Sequence, residues 1–164
     1  MIDFSLDNIF QHAPYCITLT EAGFVFCTDG GVHYRVSFEK EDIVLGGSST
    51  YQLILQNVDH IRQAHDPKVV ETVLAIVDEF FRSNQKVLLY LCDTSDGKEG
   101  GRNRLFLQWF NRYAQTGRFT IRTANAVVEG ETIYAAIIVE TRNPQHDYII
   151  SDFEKMVAML TEKP

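Results

Sequence analysis

Long apolar runs are missing from this 164-residue chain. No stretch approaches the ~20 consecutive apolar residues that span a bilayer, and Met1 to Ala13 carries Asp3 and Asp7 with no basic cluster, so no secretory signal is expected. Cysteine is scarce: Cys16, Cys27 and Cys92 are an odd number, widely spaced and without a C-x-x-C pair, which excludes a disulfide scaffold or zinc finger and points to a reducing cytoplasm. With four prolines, ten glycines and no internal repeat, low-complexity and collagen-like readings drop out. Positive charge is also short, 15 Lys and Arg against 22 Asp and Glu, and the net charge of −7 repels nucleic acid and anionic membrane. Gly46-Gly47-Ser48-Ser49 lacks the lysine of a phosphate-binding loop and Ser95 lacks a G-x-S-x-G elbow, so kinase and serine-hydrolase readings lose their motifs.

What is there asks for a packed core: 45% hydrophobic and 12% aromatic residues in a length suited to one domain, residues 1–164. Phe24 to Thr28 and Val32 to Phe38 flank Asp29-Gly30-Gly31 as a hairpin, and Val32, Tyr34, Val36 and Phe38 alternate with His33, Arg35 and Ser37, placing His33 on the surface. Glu39 to Thr50 reads as a polar connection and Tyr51 to Asn57 as a third strand. Asp66-Pro67 is a capping residue followed by a first-turn proline, and Val69, Val70, Val73, Leu74, Val77, Phe80 and Phe81 give the helix after it an apolar face. Val87 to Cys92 is a central strand covered on both faces, with Cys92 a buried structural thiol; a second helix runs from about Gly100 to Gln115. Arg118 to Val128 and Thr132 to Thr141 form another hairpin, and Asn143-Pro144 opens a last helix. The prediction is an α+β fold, a single mixed and mainly antiparallel sheet in the order β-β-β-α-β-α-β-β-α with helices packed on it.

One segment departs from the acidic background. Residues 98–122 hold Lys98, Arg102, Arg104, Arg112, Arg118 and Arg122 against Glu99 alone. Just before it, Asp93-Thr94-Ser95-Asp96-Gly97 forms a polar turn at the carboxyl end of the buried strand, where open sheets bind ligands, and the helix that follows begins with unpaired N–H groups. Asp93, Thr94, Ser95, Asp96, Gly97, Lys98, Arg102, Asn103 and Arg104 are therefore the candidate binding residues, for a small anionic ligand or a protein partner. Internal neutralisation of the cations and simple capping by Asp, Thr and Ser account for the same residues without a ligand. Leu105, Phe106, Trp109, Phe110 and Tyr113 share the apolar helix face with Arg102, whose guanidinium is expected to be buried and paired with Asp93 or Asp96. Arg104, Gln108, Asn111 and Arg112 lie on the wet face. Asp59, His60, His65 and Asp66 gather possible metal ligands, but their spacing fits no standard site and Asp66 is occupied by capping, so no metal is expected.

The run Leu88-Leu89-Tyr90-Leu91-Cys92-Asp93-Thr94-Ser95-Asp96-Gly97-Lys98, continued by Arg102-Asn103-Arg104-Leu105-Phe106 and Trp109-Phe110, resembles an uncharacterised family of bacterial domains of unknown function. The likeness takes in the Tyr34 strand, Asp66-Pro67-Lys68-Val69, Phe80 to Asn84, Tyr134-Ala135-Ala136 and Asn143-Pro144, and it implies a shared fold without a mechanism. The order of elements is similar to that of the N-acetyltransferase superfamily, which implies acyl-coenzyme A as a cofactor under this alternative alone. That superfamily cradles the cofactor's pyrophosphate in a glycine-containing loop, whereas Val58 to His65 contains no glycine. Phe106 stands near the place of its usual tyrosine acid, leaving Asn103 and Tyr113 as the nearest polar groups.

Overall fold

Asp66 and Pro67 open a helix as their types require: the Asp66 side chain accepts from the Lys68 amide at 2.9 Å, and the helix runs Pro67–Ser83. In the computed structural model, which describes residues 3–61, 66–93, 110–111, 117–128 and 130–161, this is α2. A short α1, Leu6–His12, precedes strands β1 (Ile17–Thr20), β2 (Gly23–Cys27), β3 (His33–Leu45) and β4 (Ser48–Asn57). After α2 come β5 (Val87–Asp93), β6 (Phe119–Val128), β7 (Glu131–Glu140) and α3 (His146–Thr161). The strands form one seven-stranded mixed sheet in the order β1-β2-β3-β4-β5-β7-β6, an α+β fold. β4 and β5 are parallel, with Thr50 opposite Val87 and Gln52 opposite Leu89, while β1–β2, β2–β3, β5–β7 and β6–β7 are antiparallel.

The chain divides into two compact units, Met1–Glu39 with Leu53–Gln85, and Lys40–Gln52 with Lys86–Pro164. The first is built on α2, whose Val73, Ile76, Val77, Phe80 and Phe81 are buried. Its rings pack closely: Phe80 stacks on Phe38 at 4.8 Å between centroids, and Phe4 meets Phe24 edge-on at 4.9 Å. The amino-terminal segment is strapped to the end of α2. Asn84 donates to the carbonyls of Asp3 (2.8 Å) and Phe80 (3.0 Å) and accepts from the Asp3 amide (3.0 Å). The buried Glu79 accepts from the Ser5 amide (3.0 Å) and the Ser83 hydroxyl (2.6 Å).

The second unit packs Leu45, Val87, Leu89, Ile137, Val139, Ile149 and Phe153 into one core, with Ile43, Met156 and Val157 at its margin. Burial of the consecutive Val87, Leu88 and Leu89 agrees with a strand covered on both faces. The Glu39 to Thr50 stretch differs from its expected loop. β3 continues to Leu45 and turns through Gly46 and Gly47, both at positive φ (56° and 79°), directly into β4. Charged residues in Glu39 to Asp42 mask this strand, although Ile43 and Leu45 face the core. The Gly46 amide donates to Asp152 of α3 at 2.7 Å, fixing the turn on that helix.

Candidate functional site

The polar turn predicted to bind ligand begins where β5 ends. Asp93 pairs with Ile133 of β7, which fixes its backbone at the carboxyl end of a strand inside the sheet. Thr94, Ser95, Asp96, Gly97, Lys98, Arg102, Asn103 and Arg104 lie outside the described residues, as does the expected Arg102 pairing. Of the expected second helix only Phe110 and Asn111 are described, and these two are helical, Phe110 buried and Asn111 exposed, as the apolar pattern expects.

Arg118 and Arg122 form the far border of the basic stretch. Arg118 is exposed and lies over the Phe119 ring at 5.1 Å; Arg122 is exposed and donates to the Ile121 carbonyl at 3.0 Å. Thr120 and Arg122 stand two residues apart on β6 and so project to one face of the sheet. On that face, His146 at the start of α3 joins Thr120 to Asp147: Nε2 is 2.7 Å from the Thr120 hydroxyl and Nδ1 is 2.9 Å from Asp147 Oδ1. An ionised carboxylate only accepts, so Nδ1 carries a proton, and in the neutral ring Nε2 then accepts from Thr120. The relay ties the first turn of α3 to the edge strand and leaves a polarised hydroxyl two residues from a guanidinium. Sequence reasoning missed it because its partners are 26 residues apart.

Two polar clusters belong to the first unit. At the α2 amino terminus the Tyr15 hydroxyl donates to Asp66 in a short hydrogen bond and accepts from the Asp29 amide at 3.3 Å; Lys68 reaches Asp29 at 3.0 Å. Burial, reinforced by the bond to Asp66, holds the Tyr15 phenol protonated beyond its ordinary range. This helix end already faces carboxylates, which disfavours a bound anion there. The second cluster is Asp59, whose Oδ2 accepts from the His33 backbone amide (2.7 Å) and from His33 Nδ1 (2.8 Å). The backbone amide, followed by the ring, draws the Asp59 carboxyl below the ordinary carboxylate range. Because the folded value is depressed, the stabilisation is present above the unfolded value and is lost as pH falls through the folded one. Asp59→Asn is therefore expected to be less stable than the parent near neutrality, with the difference shrinking as urea titrations are repeated below about pH 4. A difference constant down to about pH 2 would contradict the linkage. Beside the β1–β2 turn, a cleft of about 600 Å³ is lined by Phe4, Leu19, Gly23, Arg35, Phe38 and Gln56, and Arg35 Nε donates to Gln56 Oε1 at 2.9 Å. Its charges are mixed, since Glu21 and Glu39 line it too.

Asp59 and Asp66, two of the four clustered metal-ligand types, are thus engaged by His33 and by capping, and His65 lies outside the described residues. Among the described residues no helix is long and apolar enough to cross a membrane. Residues 65–155, more than half of the chain, match a family of unknown function, DUF6169. The chain belongs to this family. No curated protein and no solved structure matches it. The DUF6169 segment contains Asp66, the whole polar turn, the basic residues 98–122 and the Thr120–His146–Asp147 relay; Tyr15, Asp29 and His33 precede it. Nothing in these comparisons supports the acetyltransferase likeness.

Proposed function

We propose that this protein is a non-catalytic binding module of the cytoplasm whose working surface is the turn and basic helix from Asp93 to Arg112, and that it meets an anionic small ligand or an acidic protein partner there. The observation that carries the reading is the concentration of six basic residues against one acid within residues 98–122 of a chain with net charge −7. Three features support it. Exposed Arg122 spends a hydrogen bond on a backbone carbonyl, which leaves its charge uncancelled in that contact. Asn111, within the basic stretch, is exposed. The position of Asp93 at the carboxyl end of a sheet strand is where ligands of open sheets collect.

Acyl-coenzyme A binding is the competing reading, and the carboxylate cap on α2 counts against it, because it stands where a pyrophosphate cradle would have to donate amides. Titration of the labelled full chain with inorganic phosphate, and separately with acetyl-coenzyme A, tests both. The expected result is a set of amide shifts confined to Gly97 to Arg104, weakened several-fold by Arg104→Ala at an unchanged melting temperature. Silence of those amides toward both probes overturns the anion-binding reading, and shifts centred on residues 58–66 with acetyl-coenzyme A alone would replace it by the acyl-coenzyme A one.

A further inference from the structure

Two of the three cysteines flank one end of the β1–β2 ladder, Cys16 just before β1 and Cys27 at the end of β2. β1 pairs with β2 in antiparallel register, Ile17 opposite Phe26 and Thr18 opposite Val25. Continuing that register one step beyond Ile17 and Phe26 sets Cys16 against Cys27. The chain keeps to the strand path through this step: Tyr15 and Ile17 are both buried, Cys16 between them is exposed, and the Tyr15 ring stacks on Phe26 at 5.9 Å. Cys27 is exposed as well, and both thiols are free. Residues directly opposite in an antiparallel pair have Cα atoms about 4.5–5.5 Å apart with side chains on the same face, inside the roughly 4.4–6.8 Å that a disulfide bridges.

We propose that Cys16 and Cys27 form a surface dithiol that a low-molecular-weight disulfide oxidises reversibly to an intramolecular disulfide. The thiolate of one cysteine attacks the reagent R–S–S–R, giving a protein–S–S–R mixed disulfide and one RS⁻. The thiolate of the other cysteine then attacks the protein sulfur of that mixed disulfide, closing the Cys16–Cys27 bond and expelling the second RS⁻. The protein gives up two electrons and two protons, and these convert R–S–S–R into two RSH. The second step is intramolecular between cross-strand neighbours, so the mixed disulfide does not accumulate. The bond ties β1, the outermost strand at that edge, to β2. In a reducing compartment the pair rests as thiols and closes when the poise rises.

The test is incubation of the full chain with oxidised glutathione, followed by alkylation and peptide mass mapping. The expected product is a Cys16–Cys27 cross-linked peptide in a chain lighter by two hydrogens, returned to thiols by excess reduced glutathione. Cys16→Ser and Cys27→Ser, which remove the resolving partner, should instead retain a glutathione adduct at about ten times the wild-type level or more. A wild-type chain that keeps a stable glutathione adduct on either cysteine, that cross-links through Cys92 or to a second chain, or that stays reduced under these conditions overturns the proposal.

Discussion

Asn84→Ala should lower the unfolding free energy by about 2–4 kcal/mol, read as a shift of the urea midpoint at an unchanged slope. One side-chain amide does three jobs at this position. It accepts from the Asp3 amide and donates to the Asp3 carbonyl, pairing that residue as a neighbouring strand would, and its second N–H closes the last turn of α2 on the Phe80 carbonyl. Asn84 is buried, so the groups it releases lose their partners where water replaces them poorly. The strap it holds carries Phe4 into the ring cluster with Phe24, Phe38 and Phe80. Asn84→Asp is expected to fail as a rescue: a carboxylate still accepts from the Asp3 amide but turns lone pairs toward two carbonyl oxygens. A midpoint within about 0.5 kcal/mol of the parent for Asn84→Ala would show that the strap contributes little.

The second large effect is expected at Gly46. A methyl group there would sit 2.8 Å from the Ile149 backbone nitrogen and side chain and 3.1 Å from the Tyr148 carbonyl carbon, at a φ of +56°. The left-handed backbone alone costs about 1–2 kcal/mol in a non-glycine residue. The overlap with helix backbone adds to it, because relief requires the turn to lift from α3 and to strain the Gly46 to Asp152 hydrogen bond. Gly46→Ala should thus cost on the order of 3–4 kcal/mol. Gly47 is the internal control. Its φ of +79° is equally left-handed, but a Cβ there meets nothing within 4 Å, so Gly47→Ala should show the backbone penalty alone and Gly47→Asn less still. Equal melting temperatures for Gly46→Ala and Gly47→Ala would mean that contact with α3 plays no part.

The same turn shows how far the sequence could be read. Two adjacent glycines between polar residues look like a loose connection, and only the packing of Ile43 and Leu45 into the second core reveals them as a two-residue hairpin turn with both φ angles positive. β1 escaped notice because four residues with a single buried position carry almost no period. α1 did so because its seven residues bury Ile9 alone and rely on Ser5 and the distant Glu79 for their start. By contrast α2, β5 and the β6–β7 hairpin were legible, since proline beside a capping residue, an unbroken apolar run and paired β-rich runs around a turn are local signals. The candidate site divides in the same way. Charge clustering in residues 98–122 is visible in composition, whereas the pairing of Thr120 with His146 and of Tyr15 with Asp66 exists only once distant strands and helices are placed.

β3 and β4 each belong to both compact units: the first unit takes one end of each strand and the second unit takes the other. The polypeptide passes between the units at residues 39–40, 52–53 and 85–86, and two of these passages lie inside strands rather than in linkers. A gene fragment ending at any one of these points therefore deprives one unit of part of its own chain, and two of the three cuts go through a strand. No single cut in the chain leaves both units whole, and the cut after residue 85, which keeps the first unit's residues together, still divides the second.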